Sequence, residues 1–377
     1  MGFLKVDFDQ NRIYGLDILR ALAILFVVIS HGGELLPERI AYSQTYFLFD
    51  GVSIFFVLSG FLIGGILIKV LQKDSTPKAL MNFWLRRWLR TLPAYFFTLF
   101  LLAVLSSWLI KGFSILNYKR YFLFLQNFSW PHPGFFSEAW SLSIEEWFYF
   151  LIPICIFFLI KVARLSVARA IATTAVLIIV LVTAFRCFRY IKDVGTVPGY
   201  EWWNSFFRIQ VVTRLDSIMF GVLGAYVSYY HKLSDGQKRF FFWLGILIFL
   251  LQKLSEKLHW YQWGGFYDCV LSFTVSAVGT LFLLPFLADL KTGDGAIYKF
   301  LTRVSVISYS MYLLHYSFVQ GFLLRYTHFY GLSGVSLIVV KYVSYWALTF
   351  LGATLLYKLV EKPFMDLRGK IKQASSH

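Results

Sequence analysis

The sequence predicts an all-α, polytopic membrane protein of about ten transmembrane helices with both termini cytoplasmic. Three observations predict it. Of the 377 residues 58% are hydrophobic, and the mean hydropathy is +0.64, too apolar for an ordinary soluble globule. Apolar runs repeatedly reach the roughly 20 residues that span a bilayer. Runs such as Phe96 to Ile110 and Ala168 to Ala184 are continuously apolar, whereas a transmembrane β-barrel alternates over segments of about ten residues.

The spans fall at about 16–36, 45–69, 92–110, 138–160, 168–185, 208–230, 239–252, 264–288, 303–323 and 332–357. The seventh is short, and the apolar piece from Tyr121 to Phe128 reads as a re-entrant or interfacial segment. Orientation follows from Lys and Arg on alternating sides. A cytoplasmic N-terminus gives that side about 22 and the other about 11, with Arg20, Arg214 and Lys341 inside spans. The same loop placement explains the net charge of +16 by topology, so no nucleic-acid partner is expected. Cys155, Cys187 and Cys269 are scattered without CxxC spacing, which indicates packing and neither a metal site nor a disulfide framework. The first apolar stretch is long, carries Arg20 and lacks a small-residue cleavage pattern, so no cleavable signal is expected. No internal repeat of the transporter kind is evident. One membrane domain is expected over 1–377, its spans within 16–357, followed by a short cytoplasmic tail, 358–377.

The first span carries the most informative pattern. Arg20 and His31 are eleven residues apart, which at about 100° per residue leaves them roughly 20° apart in azimuth and about 16 Å apart along the axis. Asp17 falls near the same stripe. An ionisable residue in a lipid-embedded segment costs about 2.5 to 3.5 kcal/mol, so three on one face suggest a lined polar site. His31 is followed by Gly32-Gly33, which let a ligand or another backbone approach. Its imidazole suits a general base toward a hydroxyl, or a nucleophile holding an acyl group. The alternative is a histidine satisfied by interhelical hydrogen bonds.

The second span holds Ser59-Gly60 between glycines at Gly51 and Gly65, a pattern for close helix packing or ligand contact. Just before the third span, Arg87 and Arg90 are three apart and so neighbours on a helix, with Pro93 close to the helix start. Paired guanidiniums at a cytoplasmic face suit a multiply charged phosphate ligand; positive-inside topology with anionic-lipid contact explains them equally. In the fourth span Glu138, Ser141 and Glu145 share a face, while Glu146 neighbours Ser143 and Tyr149. A carboxylate there orients a histidine, binds sugar hydroxyls or simply favours a helix N-terminus. Arg214-Leu-Asp216 reads as a buried ion pair, and Tyr312 and His315, three apart in the ninth span, make His315 the rival of His31. Glu361-Lys-Pro363 closes the last helix as a cytoplasmic stop. H-E-x-x-H, G-x-S-x-G and Walker patterns are absent from the sequence.

Taken in order, these elements resemble the acyltransferase-3 family of integral membrane acyltransferases, which includes many bacterial O-antigen and exopolysaccharide O-acetyltransferases. The resemblance runs from Gly15 to Pro363. Arg20 and His31 match the family's Arg-x10-His motif, Phe55-Phe-Val-Leu-Ser-Gly60 its FFxxSG segment, and Arg87-x-x-Arg90 its RxxR motif. Trp140-Ser-Leu-Ser-Ile-Glu145, Tyr309 to His315 and Glu361-Lys-Pro363 look like its later landmarks.

The resemblance implies an O-acyltransferase that takes acetyl-CoA or another acyl-CoA as donor substrate, with no permanently bound cofactor. The acceptor it implies is an envelope glycan or lipid-linked oligosaccharide at the outer face of a bacterial inner membrane. It implies His31 as the catalytic residue with Arg20, Asp17 and Glu145 beside it, and donor contacts from Arg87, Arg90, Ser59 and Gly60. Glu146, Arg214, Tyr312 and His315 are further candidates. Some relatives carry a C-terminal SGNH esterase-like domain; here none is expected, the membrane domain completing transfer alone. The competing reading is a transporter or exporter of a glycan or small polar metabolite, in which the same stripe relays protons or substrate. A scaffold without a site leaves the polar residues of the first span unexplained.

Overall fold

A computed structural model describes residues 12–193, 199–258, 260 and 263–367, and among these every regular element is a helix. In chain order they are α1 (Tyr14–Gly32), α2 (Glu38–Thr45), α3 (Gly51–Lys73), α4 (Pro77–Leu109), α5 (Ala139–Lys161), α6 (Val167–Asp193), α7 (Tyr200–Trp203), α8 (Leu215–Tyr230), α9 (Asp235–Lys257), α10 (Ser272–Leu287), α11 (Gly295–Leu314) and α12 (Gly334–Leu356). π-helical segments enter α10 (Tyr267–Leu271) and extend α11 (His315–Leu324) and α12 (Tyr357–Glu361). Each expected span falls on one of these helices, and seven of the helices are long and apolar enough to cross a membrane. The protein is a multi-pass, all-helical membrane protein.

The helices begin where the sequence supplies partners for their free N–H groups. Asp50 caps α3 by accepting from the Val52 and Ser53 amides at 3.2 and 3.3 Å. Ser234 and Gln237 form a capping box on α9. At the start of α1 the donors are met by another segment: the Tyr14 and Gly15 amides donate to the carbonyls of Lys291 and Leu290 at 3.2 and 2.9 Å.

Side-chain contacts set the helix directions. Asp17 meets Ser305, and His31 meets His315, so α1 and α11 run parallel. Thr91 meets Glu146 while Trp84 meets Tyr149, so α4 and α5 run antiparallel. The parallel crossing of α3 and α8 is the tightest. A Cβ on Gly60 would sit 1.9 Å from the Ile218 carbonyl oxygen, and one on Gly221 would sit 1.9 Å from that of Val57. Without the glycines the two backbones cannot approach this closely.

Three expectations need correction. The third helix starts at Pro77 rather than near 92. Thr76 caps it, its side chain accepting from the Ala79 amide at 3.3 Å, with Pro77 in the first turn, where a missing N–H costs nothing. At 33 residues α4 is about 50 Å long, so Arg87, Arg90 and Pro93 lie inside it and not ahead of it. The sixth expected span, 208–230, is α8 and starts at Leu215, because Asn204–Arg208 and Val211–Thr213 form separate short turns. Arg214 does not pair with its neighbour Asp216. That carboxylate is taken by Arg186 of α6 at 2.6 Å, because three helices converge there. The Tyr121–Phe128 stretch lies on a short 3-10 helix (Ile115–Leu123) and a following loop. That loop's buried Gln126 and Asn127 donate to the Ala139 and Trp140 carbonyls at 3.1 and 2.9 Å. Of the expected tail, residues 368–377 lie outside the described residues.

Gly60→Ala is expected to destabilise the α3–α8 crossing by about 1–3 kcal/mol through overpacking. Ala at Gly65, whose Cβ position meets nothing within 4 Å, is expected to be neutral. Thermal melts of the two variants in one detergent check the difference.

Candidate active site

α1 and α11 bring His31 and His315 into direct contact, so two residues read as rivals form one pair. His31 Nδ1 lies 2.7 Å from His315 Nε2, and the rings stack at 4.9 Å between centroids. The proton positions follow from the neighbours. His315 Nδ1 faces only carbonyl oxygens, those of Tyr312 at 2.9 Å and Met311 at 3.1 Å. Carbonyls accept, so Nδ1 carries the hydrogen, and in a neutral ring Nε2 then holds the lone pair. His31 Nδ1–H donates to that lone pair. What remains unused is the lone pair on His31 Nε2, on a ring whose tilt is fixed by a buried partner.

The pair sits between two cavities. One, enclosing about 100 Å³, opens toward the end of the bundle at which α1 begins and is lined by Arg20, Ser59, Arg87, Arg90, Glu145 and Tyr312, among others. Six candidate residues from five helices therefore share one space. Three are guanidiniums and one is a carboxylate, so the cavity favours an anionic ligand. Glu145 is held on both oxygens, accepting from Ser59 at 3.0 Å and from Tyr149 at 3.1 Å. Tyr312 walls the cavity off from the histidines. Its hydroxyl accepts from Ser141 at 2.7 Å and donates to the Glu138 carbonyl at 3.0 Å, and its ring lies 5.7 Å from that of His315.

The other cavity, about 810 Å³, lies at the opposite end and includes Glu34, Ser137, Tyr316, Ser317 and Gln320 in its lining. Tyr316 joins it to the pair, its ring 4.5 Å from that of His31. The Tyr316 hydroxyl and the Gln320 amide donate to Glu34 at 3.1 and 2.7 Å. Gln320 Oε1 is left buried without a partner.

The remaining candidates lie elsewhere. Asp17 is buried under Arg12, whose Nε donates to it at 2.8 Å, and Ser305, whose hydroxyl donates at 2.7 Å. Arg20 reaches Asp17 at 3.9 Å, which ties the arginine of the cavity to this clamp. Gly60 packs on α8. Glu146 accepts from Thr91 at 2.7 Å, behind the cavity wall. Glu138 lies beside the larger cavity and accepts from the Ser317 amide at 3.0 Å, Ser317 being among that cavity's lining residues. Arg214 is fully buried, donating to Ser53 at 2.7 Å with its guanidinium 4.1 Å from the Phe273 ring centroid. It braces α8 against α3 and α10. Sequence reading missed Glu34, Tyr316 and Gln320. The i, i+4 spacing of Tyr316 and Gln320 directly after His315 was their only local signal.

Comparisons with known proteins give one family and several relatives. A family described as an acyltransferase domain, Acyl_transf_3, matches residues 13–358. The O-acetyltransferase OatA of Staphylococcus aureus strain NCTC 8325 / PS 47 is 27% identical over 391 residues, covering 96% of this chain and 58% of that protein. A protein of S. aureus strain COL, whose name gives O-acetyltransferase as a provisional activity, is 26% identical over 388 residues, covering 96% of this chain and 59% of its own length. The chain thus spans about three-fifths of the length of the curated relatives it matches. No solved structure matches it.

The hydrogen-bond network predicts that both histidines are neutral and protonated on Nδ1. ¹⁵N spectra of histidine-labelled protein at neutral pH are expected to show this tautomer for both, assigned through His31→Gln and His315→Gln. An Nε2–H signal from His31 would reverse the direction of the pair.

Proposed function

The chain belongs to the Acyl_transf_3 family of acyltransferase domains, and from that premise we propose that it transfers an acetyl group from acetyl-CoA to a hydroxyl of an envelope glycan across a bacterial inner membrane. The observation that carries this reading is the placement of the His31–His315 pair between an arginine-lined cavity and a larger polar one. The excess of Lys and Arg in alternate loops supports a cytoplasmic position for the arginine-lined cavity.

In this reading Arg20, Arg87 and Arg90 draw in the anionic donor, and the thin pantetheine arm carries the thioester past Tyr312 toward His31. The acceptor enters from the opposite side, over Tyr316, Glu34 and Gln320. A carboxylate and an amide at such a mouth suit hydroxyl-rich ligands, which donate and accept in equal measure. His31 Nε2 removes the proton from the acceptor hydroxyl as its oxygen attacks the thioester carbonyl. The carbon–sulfur bond breaks, and the departing thiolate takes the same proton back from Nε2. The products are an ester and free CoA, and His31 ends as it began. His315 acts as a positioning residue that fixes the tautomer and tilt of His31. The apolar helices around the pair exclude water, which limits hydrolysis of the thioester.

His31→Ala in lipid nanodiscs is expected to lower transfer of labelled acetyl from acetyl-CoA to an envelope-glycan extract by about 10²- to 10⁴-fold, the usual worth of a general base. Donor binding by the same variant is expected to stay intact. Free CoA released before acceptor is added, with acetate retained on the protein, would instead mark an acetyl-histidine. Failure of the wild type to bind any acyl-CoA would remove the donor from the reading.

Arg87→Ala and Arg90→Ala are each expected to raise KM for acetyl-CoA by about tenfold or more with a smaller change in kcat, as for charge-assisted bonds of roughly 1.5–3 kcal/mol made equally in ground and transition states. Equal KM values for the acetyl-CoA and acetyl-pantetheine reactions of the wild type would show that the arginines do not read the phosphates.

A further inference from the structure

A third cavity, of about 270 Å³, lies near the same end of α1 as the 810 Å³ cavity, with a lining of its own. It reaches Ser30, next in sequence to His31. Its volume falls just under the roughly 300–1,000 Å³ of pockets for drug-sized ligands, so it suits a small molecule or one unit of a larger one.

Three aromatic side chains edge it. Trp263 lies 5.3 Å from Trp203 and 5.4 Å from Tyr200 between ring centroids. Trp263 and Tyr200 remain 48% and 49% exposed, so aromatic faces are open to solvent beside the hollow. Inside, Asp268 is 3% exposed and its Oδ2 has no hydrogen-bond partner. The backbone of Asp268 is fixed from two sides, its carbonyl accepting from Trp203 Nε1 at 3.0 Å and from the Ser272 hydroxyl at 2.7 Å. Gln252 and Ser276, which also line the space, bond each other at 3.0 Å. The other charges there are engaged. Lys253 pairs with Glu256 at 2.7 Å, Asp50 caps α3, and the Arg208 guanidinium stands 5.2 Å from the Trp140 ring centroid.

An unmet carboxylate oxygen calls for a donor, and the aromatic edge calls for a flat, weakly polar face with positive edges. A pyranose ring supplies both, its hydroxyls on one rim and its axial C–H bonds on one face. An anion is opposed by Asp50, Glu256 and Asp268, which outnumber Arg208 and Lys253 in the lining, and a quaternary ammonium ion, the other ligand of aromatic cages, has no hydrogen to donate to the unmet Asp268 oxygen. We propose that this hollow is a pyranoside-binding subsite that holds a sugar of the acceptor away from the hydroxyl being acylated. Its role in transfer rests on the glycan-acceptor reading above; the binding itself does not.

The test is saturation-transfer NMR on the full chain in nanodiscs, titrated with the methyl β-glycosides of glucose, galactose, mannose and N-acetylglucosamine and, separately, with tetramethylammonium. At least one glycoside is expected to saturate on wild type and equally on His31→Ala. Trp263→Ala and Asp268→Asn are each expected to weaken it about tenfold or more, and Trp263→Phe to restore most of it. Binding that is absent for all four glycosides, or unchanged in both variants, would overturn the proposal, and saturation by tetramethylammonium in their place would make the hollow a cation cage. Glycoside binding without acetyl transfer would sink the acyltransferase reading and leave the subsite. Transfer without glycoside binding would do the reverse.

Discussion

The parallel contact of α1 with α11 organises this molecule, and it exists because polar groups in an apolar bundle must find partners in another helix. Water is not available there, and an unpaired buried polar group costs several kcal/mol. Near the start of α1, Asp17 is met by Ser305 and by Arg12, which reaches back from the residues before the helix. Near its end, His31 is met by His315. The two ties fix the depth and rotation of one helix against the other. Arg20, one turn from Asp17, is thereby aimed into the arginine-lined cavity rather than left to choose among rotamers. The stripe of α1 is a set of attachment points, of which one end supports and the other carries the unused lone pair.

How far this was legible follows from the range of each interaction. Helix type and placement come from runs of about 20 apolar residues, a property of contiguous sequence, and each of the expected spans falls on a helix, seven of them long and apolar enough to cross a membrane among the described residues. The alignment of Arg20 with His31 follows from helical period alone, as does the shared face of Ser141 and Glu145, which line one cavity. The partnership of His31 with His315 joins residues 284 positions apart, and periodicity within one helix carries no information about it. Each histidine looked sufficient by itself, so they were set against each other. The same limit explains Asp216: its charge complement in sequence is Arg214, two residues away, but side chains two apart on a helix do not face each other. Arg186, 30 residues upstream, takes the carboxylate. Glycines told least, because a close-packing glycine and a ligand-contact glycine read alike. Gly60 is the first kind, and only the Ile218 carbonyl across the crossing distinguishes it.

Size and the kind of polar group, and not net charge, distinguish the two cavities beside the histidines. Both sides carry three cations against one carboxylate among their described lining residues: Arg20, Arg87 and Arg90 against Glu145 in about 100 Å³ on one side, and Lys111, Arg325 and Lys341 against Glu34 in about 810 Å³ on the other, where amides and hydroxyls add neutral partners. A small anionic group finds guanidiniums gathered in the first; a hydroxyl-rich ligand finds room with both donors and acceptors in the second. In the proposed reaction the two substrates meet at the partition between the cavities, which is the histidine pair with Tyr312 and Tyr316 on either side.

That partition depends on where α11 changes its winding. Up to Leu314 the helix is α, and from His315 to Leu324 it is π. A π segment bonds i to i+5, so the residues beyond the switch are rotated from the positions that an unbroken α-helix would give them. Tyr312, before the switch, faces the arginine-lined cavity, while Tyr316, Ser317 and Gln320, after it, face the other. The carbonyls of Met311 and Tyr312, at the junction, both reach His315 Nδ1. One local change of register therefore divides the lining of one helix between two cavities, while the carbonyls just before it fix the His315 tautomer and through it leave the lone pair of His31 on Nε2. Restoring an α register after Leu314 would rotate Tyr316 and Gln320 away from Glu34, so the site depends on backbone geometry as much as on its side chains.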